Sequence, residues 1–169
     1  MIKDSLPGFK PNLRPRGSGL KDSCRKFANI QKLIIMATEG TKENPWKLKT
    51  PPLTSDYEMY KDIKNGKDVI ICIVGKTTLI YDAKCLDDLH TMLKQHGDWM
   101  ELGSADEQKT AKEGTVEAWG RSENNPNRGW YGLKKGLRGR FGMYVPPLME
   151  KLGLAEVTHD AKRNKMRAK

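Results

Sequence analysis

The sequence contains no long hydrophobic run and no secretory signal. Its longest apolar stretch, Val69 to Val74, has the length of a strand, whereas a membrane-spanning helix needs roughly 18 or more consecutive apolar residues. The N-terminus is basic, but Leu33-Ile34-Ile35 is too short for the apolar region of a signal peptide. These absences exclude a membrane protein and predict a cytoplasmic location, with no membrane as a partner.

Cysteine is scarce, and its spacing excludes two kinds of structural crosslink. Cys24, Cys72 and Cys85 are odd in number, and they show neither C-x-x-C nor another metal-ligand spacing. The pattern supports neither a disulfide framework nor a zinc site, and we predict no metal and no cofactor. Because Cys72 lies inside the apolar run, we expect a buried, unreactive thiol there.

Catalytic motifs are also lacking. No serine lies in a G-x-S-x-G context. Gly75-Lys76-Thr77-Thr78 resembles the end of a phosphate-binding P-loop, but Ile70 stands where the first glycine is required, and β-rich residues follow where a helix should begin. His159-Asp160 could orient an imidazole, but no nucleophile accompanies the pair. The sequence therefore leaves open whether the protein is an enzyme.

The charge is polarised along the chain. Residues 1–35 carry eight Lys/Arg against two Asp/Glu, residues 36–127 carry twelve against sixteen, and residues 128–169 carry eleven against three. With 169 residues and 37% hydrophobic content, the chain fits one domain with one modest core. Because its basic residues outnumber its acidic ones, we expect the C-terminal third to be the part of this domain that binds an acidic partner.

The first 35 residues show no amphipathic period and are rich in Gly, Pro, Ser and basic residues. We interpret residues 1–35 as a disordered basic leader that is not native, with Met36 as the natural start and residues 36–169 as a single domain. The alternative is a disordered basic arm that belongs to the protein. In either case we expect no contribution to the core.

Three β-rich stretches predict an antiparallel three-stranded meander. They are Tyr57 to Ile63, Val69 to Val74 and Thr77 to Tyr81. Asn65-Gly66 is a type I′ turn signal, and Gly75-Lys76 is a two-residue turn with glycine first. The run from Val69 to Val74 is apolar on both faces and is therefore predicted as the central strand.

Further elements are predicted on both sides of the meander. Trp46 to Lys49 alternates apolar and charged residues, and Pro51-Pro52 ends any strand there. After the meander, Asp82 can cap a helix that runs to about Gln95 and packs on the sheet, with Gly97 just past its end. Thr115 to Trp119 reads as one more strand.

The C-terminal third combines frequent glycine with a late helix. Glycine at nearly every third position from Arg128 to Tyr144 predicts that no stable helix forms there. Val145-Pro146-Pro147 then opens a short helix that ends at Gly153. Ala155 to Thr158 and Lys165 to Ala168 are predicted to form a terminal hairpin. The predicted fold class is α+β: meander, helix, Gly-rich basic segment, short helix and hairpin.

Cations and aromatic side chains alternate in the Gly-rich segment, and further cations follow in the tail. Basic groups engage phosphates, aromatic faces stack on bases, and glycines let the backbone approach a polyanion. The equally weighted alternative is that the aromatic rings fill the core while the cations form a solvated rim. The candidate nucleic-acid-binding residues are Arg128, Trp130, Tyr131, Lys134, Lys135, Arg138, Arg140, Lys162, Arg163, Lys165 and Arg167.

Two stretches resemble known proteins. From Asn44-Pro45-Trp46 onward, and especially in Val116-Glu117-Ala118-Trp119-Gly120-Arg121 and Gly139-Arg140-Phe141-Gly142-Met143-Tyr144-Val145-Pro146-Pro147, the chain resembles a small bacterial family of unknown function, over about residues 40–169. That resemblance implies no activity. Leu148 to Lys169, a helix followed by a basic hairpin, is similar to the last helix and wing of winged-helix DNA-binding proteins.

Three hypotheses about function follow from these observations. The first is a module that binds DNA or RNA with the basic C-terminal third. The second is an enzyme that acts on an anionic or phosphorylated substrate, with the same cations as a clamp and His159 as acid or base. The third is a protein-interaction module whose acidic middle and basic end bind partners of opposite charge. Salt-dependent binding to unrelated oligonucleotides separates the first from the others.

Overall fold

The computed structural model describes residues 39–106, 109–132 and 140–169. In these residues the strands are β1 (Trp46–Lys49), β2 (Asp56–Lys64), β3 (Lys67–Val74), β4 (Thr77–Asp82), β5 (Met100–Glu101), β6 (Ala155–Val157) and β7 (Lys165–Ala168). The helices are α1 (Cys85–His96), α2 (Val116–Trp119) and α3 (Phe141–Lys151). The fold is α+β, as predicted, whereas the expectations for residues 1–35 lie outside the described residues.

The first sheet has four antiparallel strands in the order β1-β2-β3-β4, so the prediction of three strands was one short. The additional strand is β1, whose Trp46 lies opposite Met59 of β2. Its alternation was visible in the sequence, and Trp46 and Leu48 are indeed buried while the lysines between them are exposed. The sequence did not show which strand pairs with β1. A strand of four residues depends on pairing with β2 and on core contacts, and neither leaves a local sequence pattern.

The predicted turns and central strand are confirmed. Asn65 and Gly66 both have positive φ, 51° and 71°, which is the backbone of a type I′ turn. Gly75 has a φ of 56° at the next turn. The strand β3 pairs with β2 on one side and β4 on the other, and its residues from Val69 to Cys72 are buried.

Helix α1 covers the core with Leu86, Leu89 and Leu93. It begins at Cys85, and Asp82 forms the turn before it by accepting a hydrogen bond from the Lys84 N–H at 3.0 Å, so the predicted cap at Asp82 was wrong. The predicted end is confirmed, because Gly97 is left-handed and its N–H donates to the Leu93 carbonyl.

The strand predicted from Thr115 to Trp119 was wrong, because this stretch forms the short helix α2. Thr115 is its N-cap, and its hydroxyl accepts a hydrogen bond from the Ala118 N–H at 3.2 Å. The β-branched pair Thr115-Val116 favours a strand by propensity, but a satisfied cap and the burial of Val116 outweigh that weak preference.

Helix α3 begins four residues earlier than predicted, at Phe141 instead of Val145. The glycine spacing predicted no helix from Arg128 to Tyr144, but the Gly142 N–H donates to the carboxylate of Glu117 at 2.7 Å, which satisfies one free N–H group of the first turn. Pro146 and Pro147 therefore lie inside the helix. Phe141 is fully buried, and this burial supplies the stability that local propensity does not.

A second sheet contains the three strands β5, β7 and β6 in that order. The predicted C-terminal hairpin is confirmed by the antiparallel pairing of β6 with β7. The edge strand β5 was not predicted, because two residues are too short to show a period. Among the described residues, no helix is both long enough and apolar enough to cross a membrane.

Candidate nucleic-acid interface

Strand β7 presents cations on the outer face of the C-terminal sheet. Lys165 and Arg167 are exposed, whereas Met166 between them is fully buried in the core. Side chains alternate along a strand, so Lys165 and Arg167 share one face. The Lys169 N–H donates to the Leu154 carbonyl, which extends the pairing and places Lys169 in the same alternation. Because β7 is the middle strand, these cations run along the centre of the sheet.

Two carboxylates lie beside this row, and both are ion-paired. Glu101 is opposite Lys165 on β5, and its carboxylate lies 2.6 Å from the Lys112 ammonium. The hydrogen bond from Lys112 lowers the pKa of Glu101, and the charges of Lys165 and Arg163 lower it further. Glu156 is opposite Arg167 on β6 and lies 2.6 Å from its guanidinium. Each carboxylate is thus compensated by a neighbouring cation.

The Arg167 guanidinium lies over the ring of Trp99, 4.7 Å from the ring centroid. This cation–π contact and the bonds to Glu156 hold the guanidinium in one orientation. The bonds to Glu156 engage Nε and Nη2, which leaves Nη1 for a phosphate and the face opposite Trp99 for a nucleobase. Sequence reasoning missed Trp99, since nothing in the segment around it indicates that its partner lies in the last strand.

The turn between β6 and β7 carries Lys162 and Arg163, and the buried side chain of Asn164 organises it. The side-chain oxygen of Asn164, Oδ1, accepts hydrogen bonds from the Asp160 N–H at 2.7 Å and from the Thr158 hydroxyl at 3.1 Å. Its amide donates to the Asp160 carbonyl at 2.8 Å. The turn is therefore ordered before any ligand binds, which reduces the entropy that binding would cost.

Replacing Asn164 with Ala is expected to lower the free energy of unfolding by about 1–3 kcal/mol, because it leaves buried polar groups of the turn unsatisfied. Asn124→Ala is the matched control, since Asn124 is exposed and its side chain forms no hydrogen bond with the residues that the structure describes. Urea unfolding of both variants measures the difference. Equal stability of the two variants would show that Asn164 does not organise the turn.

We define the basic face as the cations of the hairpin and its turn. Its members are Lys162, Arg163, Lys165, Arg167 and Lys169. Between residues 155 and 169 these five cations stand against two acids, Glu156 and Asp160. Of the five, Arg167 alone has an ion-pair partner within residues 39–106, 109–132 and 140–169. The other four are therefore not neutralised by a described carboxylate.

The structure places the remaining candidate residues elsewhere or outside its description. Arg140 lies at the start of α3 and pairs with Asp106 at 2.7 Å, with both side chains about half exposed. Arg128 is exposed in the loop after α2, where it lines a cavity together with residues 123–126. Lys134, Lys135 and Arg138 lie outside the described residues. The basic face therefore consists of four of the candidates, Lys162, Arg163, Lys165 and Arg167, together with Lys169, which was not among the candidates.

Trp130 and Tyr131 belong to an aromatic cluster. Tyr131 is fully buried, stacks on Trp119 at 5.5 Å and on Phe141 at 5.9 Å, and donates its hydroxyl to Asp88. Trp130 meets Phe141 edge to face at 6.0 Å. These contacts agree with the alternative in which the aromatic rings fill the core, so neither ring enters the interface described here.

His159 makes both of its ring contacts within the protein. Its Nδ1 lies 2.9 Å from the Pro51 carbonyl, and its Nε2 lies 2.9 Å from a carboxylate oxygen of Glu150. The neighbouring Asp160 is therefore not the residue that orients the imidazole. The histidine links the hairpin to α3 and to the β1–β2 loop, which is a structural role.

The thiols of the described cysteines are poorly placed to act as nucleophiles or metal ligands. Cys72 and Cys85 are both free and fully buried, and burial raises the pKa of each thiol well above its usual value. A thiol that stays protonated is a poor nucleophile and a poor metal ligand. In the part of the chain that the structure describes, no three His, Cys, Asp or Glu side chains converge into a metal site.

Sequence reasoning missed a buried ion pair between Glu117 and Arg121. Glu117 is fully buried, and its carboxylate accepts hydrogen bonds from Arg121 at 2.6 Å and from Gly142 at 2.7 Å. Arg121 also donates to the carbonyls of Ala105 and Lys109. The i, i+4 spacing of Glu117 and Arg121 was the available signal, but it did not reveal that the pair is buried.

One family model matches the sequence. The model, described as a family of unknown function (DUF6855), covers residues 38–169. No curated protein and no solved structure matches the chain. The similarity to a winged-helix wing therefore stays a prediction.

Proposed function

The chain belongs to the DUF6855 family of unknown function, and we propose that it binds nucleic acid through the basic face. The observation that carries the proposal is the row of Lys165, Arg167 and Lys169 along the middle strand of an exposed sheet face. Phosphate groups of a nucleic acid strand repeat at regular intervals, and a row of cations on one face can contact several of them.

The ordered turn strengthens the proposal, since Lys162 and Arg163 extend the row beyond the strand. Arg167 adds a planar guanidinium that Trp99 holds in place. An open sheet face with cations and an aromatic ring suits single strands, whose bases are free to stack. Contacts of this kind engage the backbone, so we expect little sequence preference.

The test is the salt dependence of binding to unrelated oligonucleotides. If four or five cations each neutralise a phosphate, log affinity should fall with log salt at a slope of roughly −3 to −4.5. Replacing Lys162 and Lys165 together by Ala should weaken binding to all sequences alike and flatten the slope by roughly 1.5 to 2. Fluorescence anisotropy over a range of salt concentrations measures both quantities.

Lys76→Ala combined with Lys94→Ala is the matched control. These two lysines are also exposed, but they lie at the β3–β4 turn and near the end of α1. The control has the same net charge as the test variant, and the basic residues of 1–35 contribute equally to both. If the two double variants show the same slope, binding does not involve the basic face and the proposal fails.

A further inference from the structure

A cavity of about 330 Å³ opens beside the turn that carries Lys162 and Arg163. Four separate segments form its wall: residues 51–52, 101–104, 142–143 and 161–164. A volume of this size falls at the lower end of the range of small-molecule sites in proteins, roughly 300–1,000 Å³. The cavity adjoins the basic face, because its wall includes two of the five cations.

The wall contains both apolar and cationic residues. Its apolar residues are Pro51, Pro52, Leu102 and Met143, of which Pro52 and Met143 are partly exposed. Gly142 leaves no room for a side chain of its own, since a Cβ there would meet the carbonyl oxygen of Leu102. The wall therefore combines flat proline rings and closely packed backbone with two basic side chains.

The electrostatics of the cavity favour an anion. Glu101 is the one carboxylate in the wall formed by described residues, and Lys112 neutralises it. Lys162 and Arg163 have no ion-pair partner among the residues that the structure describes. A phosphate bound beside Lys162 and Arg163 would contact two cations without displacing an existing salt bridge.

Two contacts hold the wall in place. The Leu102 N–H donates to the Asn164 carbonyl at 2.8 Å, which ties the segment 101–104 to the turn. His159 binds the Pro51 carbonyl and Glu150, which ties the proline side of the wall to α3. A site with walls held in this way loses little entropy when a ligand binds.

We propose that this cavity receives one unpaired nucleotide, with the base against Pro52 and Met143 and its phosphate on Lys162 and Arg163. The inference rests on the proposed function and narrows it to strands that can release a base from its stack. Duplex DNA keeps its bases paired and therefore contacts only the cations.

The test fills the cavity without removing a cation. Ser104→Leu and Ala161→Leu each add aliphatic bulk at an exposed position of the wall, and Thr77→Leu adds comparable bulk at the β3–β4 turn. Loss of base burial should weaken single-strand binding by roughly 5- to 150-fold in the two filling variants. Binding to a duplex should stay within about twofold, and Thr77→Leu should resemble the parent in both assays.

An oligonucleotide with abasic sites provides a test without mutation. The full-length parent should bind the abasic strand more weakly than the unmodified strand. The ratio of the two affinities should equal the factor by which the filling variants lose affinity for the unmodified strand. Equal binding of the abasic and unmodified strands, or filling variants that bind single strands as the parent does, would overturn the inference while leaving the proposed function intact.

A mononucleotide separates failure of the cavity from failure of polymer binding. Adenosine 5′-monophosphate should shift the amide resonances of Ser104 and Met143 at a lower concentration than inorganic phosphate does. Ser104→Leu should abolish that difference. If the parent binds no polynucleotide, the proposed function fails and this titration alone decides whether the cavity is a nucleotide site. If the mononucleotide and inorganic phosphate shift these resonances at the same concentration, the cavity is not a nucleotide site.

Discussion

Replacing Arg121 with Met is expected to lower the free energy of unfolding by about 3–5 kcal/mol. Glu117 is 0% exposed, and Arg121 is its only charged partner at hydrogen-bond distance among the described residues. Burial raises the pKa of Glu117, although the bonds from Gly142 and Arg121 act in the opposite direction. Without Arg121, the carboxylate must be buried as an uncompensated charge or bind a proton.

The effect should depend on pH in a direction that identifies Glu117 as its cause. A carboxyl group whose folded pKa is raised contributes its full stability below the unfolded value, roughly 4.3, and loses it as the pH rises through the folded pKa. Removal of Arg121 raises that folded pKa further. The stability difference between parent and Arg121→Met should therefore grow as the pH rises through the folded pKa of Glu117 in the parent, which lies above the unfolded value, and urea unfolding at several pH values measures this.

The double variant Glu117→Leu with Arg121→Met is the control for loss of charge. Replacing a buried ion pair by apolar side chains is often neutral or stabilising, so this variant should be more stable than Arg121→Met alone. Some cost remains, because Arg121 also bonds to the carbonyls of Ala105 and Lys109. If Arg121→Met and the double variant lose equal stability at all pH values, the carboxylate is not the cause.

Replacing Phe141 with Ala is expected to cost about 3–5 kcal/mol, because it opens a cavity in the aromatic cluster. Phe141 is 0% exposed and lies about 6 Å from the ring centroids of Tyr81, Trp119, Trp130 and Tyr131. Gly120 lies so close that a Cβ there would meet the Phe141 ring at 2.5 Å. A ring packed this tightly leaves little room for neighbours to fill the space after truncation.

Chemical unfolding monitored by near-ultraviolet circular dichroism tests this prediction. Phe141→Leu should cost less than Phe141→Ala, since the leucine fills part of the cavity. Ile63→Ala is the surface control, because Ile63 is 66% exposed and its loss should cost less than about 1 kcal/mol. Similar losses at Phe141 and Ile63 would contradict the assignment of Phe141 to the centre of the cluster.

The sequence by itself determined the elements that neighbouring residues encode. The Asn65-Gly66 turn, the interior strand β3, the end of α1 at Gly97 and the pairing of β6 with β7 were all predicted correctly. In each case the signal is local, because positive φ, alternation or continuous apolar residues constrain a segment before it meets any partner. Lys165 and Arg167 of β7 were likewise named as candidate binding residues from the local pattern of basic residues.

Only the tertiary structure decided which residues meet. Because of packing, residues Thr115 to Trp119 form a helix, α3 begins at Phe141, and Tyr131 is buried in the core. It also placed Arg167 on Trp99 and buried the Glu117–Arg121 pair, contacts that no local pattern could indicate. These outcomes depend on the free energy of burying distant side chains together, which outweighs the small propensity of each segment.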